Sequence, residues 1–195
     1  MDGTLREPER RVTRKPVVPN GVLGIMIFMT SEVMFFAGMM SAFTIVRASS
    51  MPLMWPPMGQ PTLPASATAL NTVALILSGV ALFFAHRAFQ KNNKMGMAPL
   101  AISVALGLAF VLLQGREWVA LLKQGLTMLS SNMGAFFYLI VGVHAAHAVV
   151  AIALLVWALI KLRAGTLKPN AFYTVQTFWY FVVGMWPVIY ARVYF

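Results

Sequence analysis

Glu32 is the only charge in the apolar stretch Ile27-Phe28-Met29-Thr30-Ser31-Glu32-Val33-Met34-Phe35-Phe36. A carboxylate at the centre of a membrane helix costs about 2.5–3.5 kcal/mol on insertion scales, so it needs a partner, a proton or a polar cavity. Helical spacing puts Phe28, Met29, Phe35, Phe36 and Met39 on or beside its face, among aromatic and thioether groups and apart from other acids. Two roles fit that setting. One is a site that binds or relays a proton; the other is a hydrogen-bonded side chain that fixes helix packing.

His144 and His147 stand three apart in Gly142-Val143-His144-Ala145-Ala146-His147-Ala148, on one helix face. Paired imidazoles can begin a metal site, but a tetrahedral or catalytic centre needs a third ligand. The remaining histidine, His86, belongs at the far end of another segment, which leaves Glu32 as the candidate third ligand at similar depth. The competing reading is a pair hydrogen-bonded between helices, with small neighbours allowing close approach. Gln114 and Glu117 share a face in the same way, and Arg116 lies about 100° round the helix from Glu117. That group is either an interfacial polar cluster with a snorkelling Arg116 or a docking point for a partner subunit.

The elements that must position these groups are membrane helices. Hydrophobic residues make up 59% of the 195-residue chain and charged residues 10%, with a mean hydropathy of +0.76. So few polar residues cannot cover a soluble globule. Apolar segments of spanning length run at about 21–46, 65–89, 98–122, 134–162 and 172–193. Each exceeds a barrel strand and five cannot close a barrel, so the expected fold is all-α, a polytopic membrane protein with five transmembrane helices. A basic, proline-punctuated tail over 1–20 precedes the membrane domain of 21–195. The first apolar run is too long for a signal-peptide core and lacks a cleavage pattern, so it reads as a retained span.

Most of the fifteen Lys and Arg fall on one side of that topology: the tail, Arg87, Lys91 and Lys94, and Lys161, Arg163 and Lys168. Arg47, Arg116, Lys123 and Arg192 fall on the other. The bias predicts a cytoplasmic N-terminus and an external C-terminus. It also explains the net charge of +10 without nucleic acid as a partner. The connection from Ala48 to Pro64 is uncharged and proline-rich around Trp55, the mark of an extended external lid. Trp118, Trp179, Trp186, Tyr190 and Tyr194 lie towards segment ends, where an interfacial belt is expected.

Without cysteine the chain has no disulfide, iron–sulfur cluster or thiolate metal site. It also shows no serine–histidine–acid arrangement, glycine-rich phosphate loop or hydrolytic carboxylate pair, and no internal repeat of the transporter kind. The residues suit a scaffold or proton-linked subunit with no catalytic residue and no metal of its own.

An ordered set of motifs from about Gly24 onward resembles subunit III of haem–copper oxidases, the cytochrome c oxidase type, in a short five-helix form. The set is Ser31-Glu32-Val33-Met34-Phe35-Phe36, Trp55-Pro56-Pro57-Met58-Gly59, Leu70-Asn71-Thr72 with Ser78-Gly79-Val80, Leu112-Leu113-Gln114 with Glu117-Trp118, and Gly134-Ala135-Phe136-Phe137 with Gly142 to His147. The full-length family form has two further N-terminal helices. Where its last helix usually reads Trp-His-Phe-Val-Asp-Val-Val-Trp, this chain has Trp179-Tyr180-Phe181-Val182-Val183-Gly184-Met185-Trp186. The resemblance implies a non-catalytic accessory subunit of a respiratory terminal oxidase that couples oxygen reduction to proton pumping. Its partners would be subunit I, in direct contact, subunit II and membrane phospholipid, with haem and copper carried by the partners.

By the same resemblance, Glu32, Asn71, Glu117, His144 and His147 match the family's intramembrane polar positions, with Gln114 beside them. Arg87, Lys91 and Lys94 form the basic cytoplasmic surface. The expected location is a bacterial cytoplasmic membrane. An accessory subunit of a nitric oxide reductase or quinol oxidase is the nearest alternative; a small proton-coupled transporter built on Glu32 is a more distant one.

Overall fold

The computed structural model describes residues 20–49, 57–91 and 93–195. The basic tail, the segment around Trp55 and the side chain of Lys94 lie outside the described residues. The described residues fold into five long helices: α1 (Asn20–Ser49), α2 (Ala65–Lys91), α3 (Met97–Lys123), α4 (Asn132–Arg163) and α5 (Pro169–Val193). A short 3₁₀ helix, Asn93–Gly96, joins α2 to α3. Stretches of α1, α2, α3 and α4 are long and apolar enough to cross a membrane.

Local sequence accounts for the helix ends. Ser131 caps α4, its hydroxyl accepting the amide proton of Gly134 at 3.0 Å, which satisfies one of the free N–H groups of the first turn. Pro169 starts α5, where a missing N–H costs nothing. Gly125 and Gly165 take positive φ just beyond α3 and α4, the left-handed conformation that glycine supplies most readily at a helix C-terminus.

Helices α2, α3, α4 and α5 pack as a bundle with α1 laid against α5 and α4. Along α5 the buried positions are Phe172, Val175, Phe178, Trp179, Val182, Met185, Trp186, Ile189 and Val193, the spacing of one helical stripe. Only 11% of the spanning stretch of α1 is buried within the chain, against 44%, 33% and 39% for α2, α3 and α4. Much of α1, including Ile27, Met34 and Ile45, is therefore open to lipid or to another chain.

Direction alternates from helix to helix. His86 near the end of α2 stacks on Phe172 at the start of α5, with ring centroids 6.2 Å apart. At the opposite end, Arg47 of α1 donates to the carbonyl of Phe195, and Ser130 donates to Gln60 at 3.1 Å. Gly107 lets α3 approach the indole of Trp179: a Cβ there would lie 2.8 Å from the indole Cη2.

Trp179 and Trp186 do not form an interfacial belt. They are 0% and 1% exposed, and each indole N–H has a partner inside the bundle. Trp179 donates to Ser78 Oγ at 3.1 Å and Trp186 to Thr72 Oγ1 at 2.8 Å. An indole is amphipathic because of that one N–H, and with an internal acceptor the whole ring can be buried. Their position towards segment ends is offset by spacing that places both on the inner stripe of α5.

Candidate functional site

Glu32 and His147 meet across the α1–α4 contact, with Oε2 3.2 Å from Nε2 and both side chains mostly buried. Four phenylalanine rings surround the imidazole. Phe28 and Phe36 come from α1, with centroids at 6.4 and 5.8 Å, and Phe178 and Phe181 come from α5, both at 6.2 Å. The aromatic residues spaced around Glu32 thus become the wall that shields its partner.

The other ring nitrogen fixes the chemistry of the pair. Nδ1 of His147 lies 2.8 Å from the carbonyl oxygen of Val143; a carbonyl can only accept, so Nδ1 carries a proton and donates it. Nε2 then either holds a lone pair facing a protonated carboxyl or carries a second proton facing a carboxylate. Either form leaves the pair with no net charge, whereas a carboxylate facing a lone pair in this apolar setting would carry a large desolvation cost. Glu32 Oε2 stands at ion-pair distance from His147 Nε2 and makes no hydrogen bond within the chain.

His144, one turn away, does something different. It is 1% exposed, stacks on Trp186 with centroids 5.1 Å apart, and meets the edge of Phe36 at 6.3 Å. Its Nε2 has no partner within the chain. The two histidines differ in their partners: His147 meets Glu32 of α1, and His144 lies between Phe36 of α1 and Trp186 of α5. Among the described residues no group of three or more His, Cys, Asp or Glu could hold a metal ion.

A polar seam runs between α2, α3 and α5. Asn71 Nδ2 approaches Gln114 Oε1 at 3.4 Å, and Gln114 Nε2 donates to the Tyr194 hydroxyl at 3.0 Å. Deeper in, Ser78 Oγ donates to the Ser103 carbonyl at 2.8 Å while accepting from Trp179. Glu117 is half-buried and Arg116 exposed, so Gln114 joins the seam through Asn71 and Tyr194. The Arg87 guanidinium sits over the Phe83 ring at 5.0 Å, with Lys91 exposed beyond it.

Ser78, Ser103 and Thr72 emerge from the structure as polar links with no role assigned by sequence. Their signal was the pair of tryptophans seven apart on α5, two turns on one face. Two buried indoles on one stripe call for two acceptors on the facing helix, and Thr72 and Ser78 stand six apart on α2.

The fold and these sites define an all-helical integral membrane protein with a shielded carboxyl–imidazole pair. The family described as Cytochrome c oxidase subunit III matches residues 5–195 of the chain. Cytochrome c oxidase subunit 3 of Pan troglodytes is 32% identical over 199 residues, covering 97% of this chain and 75% of the relative. The human protein of that name is 32% identical over 198 residues, with 97% and 75% covered. The rabbit protein, from Oryctolagus cuniculus, is 31% identical over 188 residues, with 92% and 71% covered. The chain belongs to the cytochrome c oxidase subunit III family. Membership implies a complex with other oxidase subunits and a place in respiratory electron transport. The comparisons give no support to the nitric oxide reductase, quinol oxidase or transporter readings.

Proposed function

We propose that this chain is a non-catalytic subunit III of a respiratory haem–copper oxidase, bound directly to subunit I with subunit II in the same complex. It stabilises the catalytic partner, carries phospholipid and supports proton uptake, while haem and copper reside in the partners. The observation that carries this reading is the Glu32–His147 contact. A carboxyl–imidazole pair at ion-pair distance and without net charge can hold α1 against α4 deep in an apolar setting without drawing ions or water to it. It fixes the position of a helix whose apolar surface is mostly uncovered by the rest of the chain, a surface suited to subunit I and to lipid chains.

In this reading α5 is the fifth span. Its inner position suits its composition, since its indole groups and the adjoining Tyr194 find partners on α2 and α3. The N-terminus is cytoplasmic and the C-terminus external, in the cytoplasmic membrane of a bacterium. The support is the charge bias, with Arg87, Lys91 and Lys94 on the same side as the basic tail. That basic surface attracts anionic phospholipid and holds protons near the partner's uptake mouth. Asn71, Gln114 and Glu117 act in packing near the opposite face.

Mild-detergent purification through a tag on this chain tests the proposal. Two further oxidase subunits should co-purify with haem absorbance and bound copper; recovery of the chain free of haem-bearing partners would overturn it. Neutralising Arg87, Lys91 and Lys94 together should slow proton uptake and lower the content of anionic lipid. Unchanged values of both would refute the role given to that surface.

A further inference from the structure

At the end of the bundle opposite Lys161 and Arg163, the α1–α2 and α3–α4 connections each carry a hydrogen-bonded four-residue turn. In 57–60 the Gln60 amide donates to the Pro57 carbonyl at 3.0 Å, and Gly59 has φ +80°, as the third position of a type II turn requires. In 127–130 the Ser130 amide donates to the Thr127 carbonyl at 3.2 Å. The Ser130 hydroxyl donates to Gln60 Oε1 at 3.1 Å and joins the two turns. Turn tips are ordinarily glycine, proline, asparagine, aspartate or serine. Here the tips carry Met58, 86% exposed, Met128, 51% exposed, and Leu129, 97% exposed. Apolar residues exposed singly need no account, but three on two linked turns form a patch.

The path of the chain shows what the patch faces. Exposed apolar side chains run along α3 through Ile102, Leu108, Leu112, Val119 and Leu122. From Ile102 to Leu122 that surface is about 30 Å long at 1.5 Å per residue, the thickness of a hydrocarbon core. Hydrocarbon therefore ends at Leu122, and exposed Lys123 stands at the headgroups. Exposed Arg116, lower on the same helix, reaches that layer by extending its long side chain.

Beyond Lys123 the chain folds back and does not project into water. The Leu126 amide donates to the Leu121 carbonyl at 3.0 Å, the Leu126 carbonyl accepts from the Tyr138 hydroxyl at 2.7 Å, and the Leu126 side chain is fully buried. The Thr127 carbonyl then lies against Gly134 in the first turn of α4. Turn 127–130 is thus held at the level where α3 leaves the hydrocarbon, and the Ser130–Gln60 bond brings turn 57–60 to the same level.

We infer that turns 57–60 and 127–130 form one anchor that seats Met58, Met128 and Leu129 in the interfacial layer of the phospholipid bilayer, with Lys123 and Arg116 facing lipid phosphates. Apolar tips beside basic side chains suit that layer, where acyl chains and phosphates lie within a few ångströms of each other. The anchor sets the depth of the helices that the two connections join.

The test places an encoded naphthalene-bearing fluorescent amino acid at position 58 or 129, in the chain with its co-purifying subunits. The sample is held in phosphatidylcholine–phosphatidylglycerol nanodiscs. At both positions a lipid with a nitroxide high on its acyl chain should quench about threefold more strongly than aqueous acrylamide. Leu129→Glu, at a fully exposed tip, should lower lipid quenching at position 58 about twofold. Stronger quenching by acrylamide at both positions overturns the inference. So does shielding from both quenchers in the complex with acrylamide quenching in the chain purified alone, which would show a protein covering the turns. Unchanged lipid quenching at position 58 in Leu129→Glu refutes the joining of the turns into one anchor. The readout needs no partner subunit, so loss of the oxidase complex and loss of the anchor are distinguishable.

Discussion

Replacing Gly107 by Ala places a methyl group 2.8 Å from Cη2 and 2.9 Å from Cζ2 of Trp179. Optimal carbon contacts are about 3.5–4.0 Å, so the indole must withdraw by about 0.7 Å. It has little freedom to do so: Trp179 is 0% exposed and its N–H is held by Ser78 Oγ at 3.1 Å. Overpacking of this kind costs about 1–3 kcal/mol, and a strained interhelical hydrogen bond adds about 0.6 kcal/mol. Alanine's better helix propensity returns about 1 kcal/mol. The net expectation is destabilisation by about 0.6–2.6 kcal/mol. Unfolding in mixed micelles titrated with dodecyl sulfate, followed by tryptophan fluorescence, measures it. Trp179→Phe removes the far ring carbons that the methyl group meets, so the double variant should be more stable than the sum of the single effects by about 1 kcal/mol. Gly107→Ala with wild-type stability, or strict additivity with Trp179→Phe, would refute the close-packing argument.

Glu32→Gln keeps a donor for His147 Nε2 and should leave assembly and the haem spectrum of the complex intact, with turnover changed at most modestly; total loss of activity in a fully assembled complex would contradict a support role. Glu32→Leu leaves that nitrogen buried and unpaired and should cost about 1–2 kcal/mol in the same micelle titration. Gln114→Leu removes the link between Asn71 and Tyr194 and should cost about 0.6–1.7 kcal/mol, the range for interhelical hydrogen bonds in membranes; a more stable variant would show that the seam is not load sharing. Gly134→Ala drives a Cβ into the Thr127 carbonyl oxygen, so the first turn of α4 must shift off its Ser131 cap, and proteolysis at the α3–α4 connection should accelerate several-fold.

The helices were legible because apolar runs longer than about 18 residues leave the backbone no option but to bond internally. Glu32 was legible for the opposite reason, as a charge with nowhere to go. Its partner was not. His144 and His147 share a face at helical spacing, and spacing alone cannot say that Glu32 meets only the second of them. That depends on where the Phe28 and Phe36 rings seat against α5, a tertiary matter decided by packing of the whole bundle. The indoles of Trp179 and Trp186 misled for a related reason: sequence supplies depth along a helix but not the acceptor on a neighbouring helix that makes burial possible.

The two histidines also show how one turn of helix can separate two kinds of site. His147 has Nδ1 bonded to the Val143 carbonyl and Nε2 facing Glu32 at 3.2 Å. His144 has Nε2 buried without a partner, its ring held between Trp186 and Phe36. Substitutions at the two should therefore diverge in a dodecyl sulfate titration: loss of the His147 imidazole should loosen α1 from the bundle, whereas His144→Phe, which keeps the stack on Trp186 and removes an unpaired buried nitrogen, should leave the bundle as firm as before or firmer.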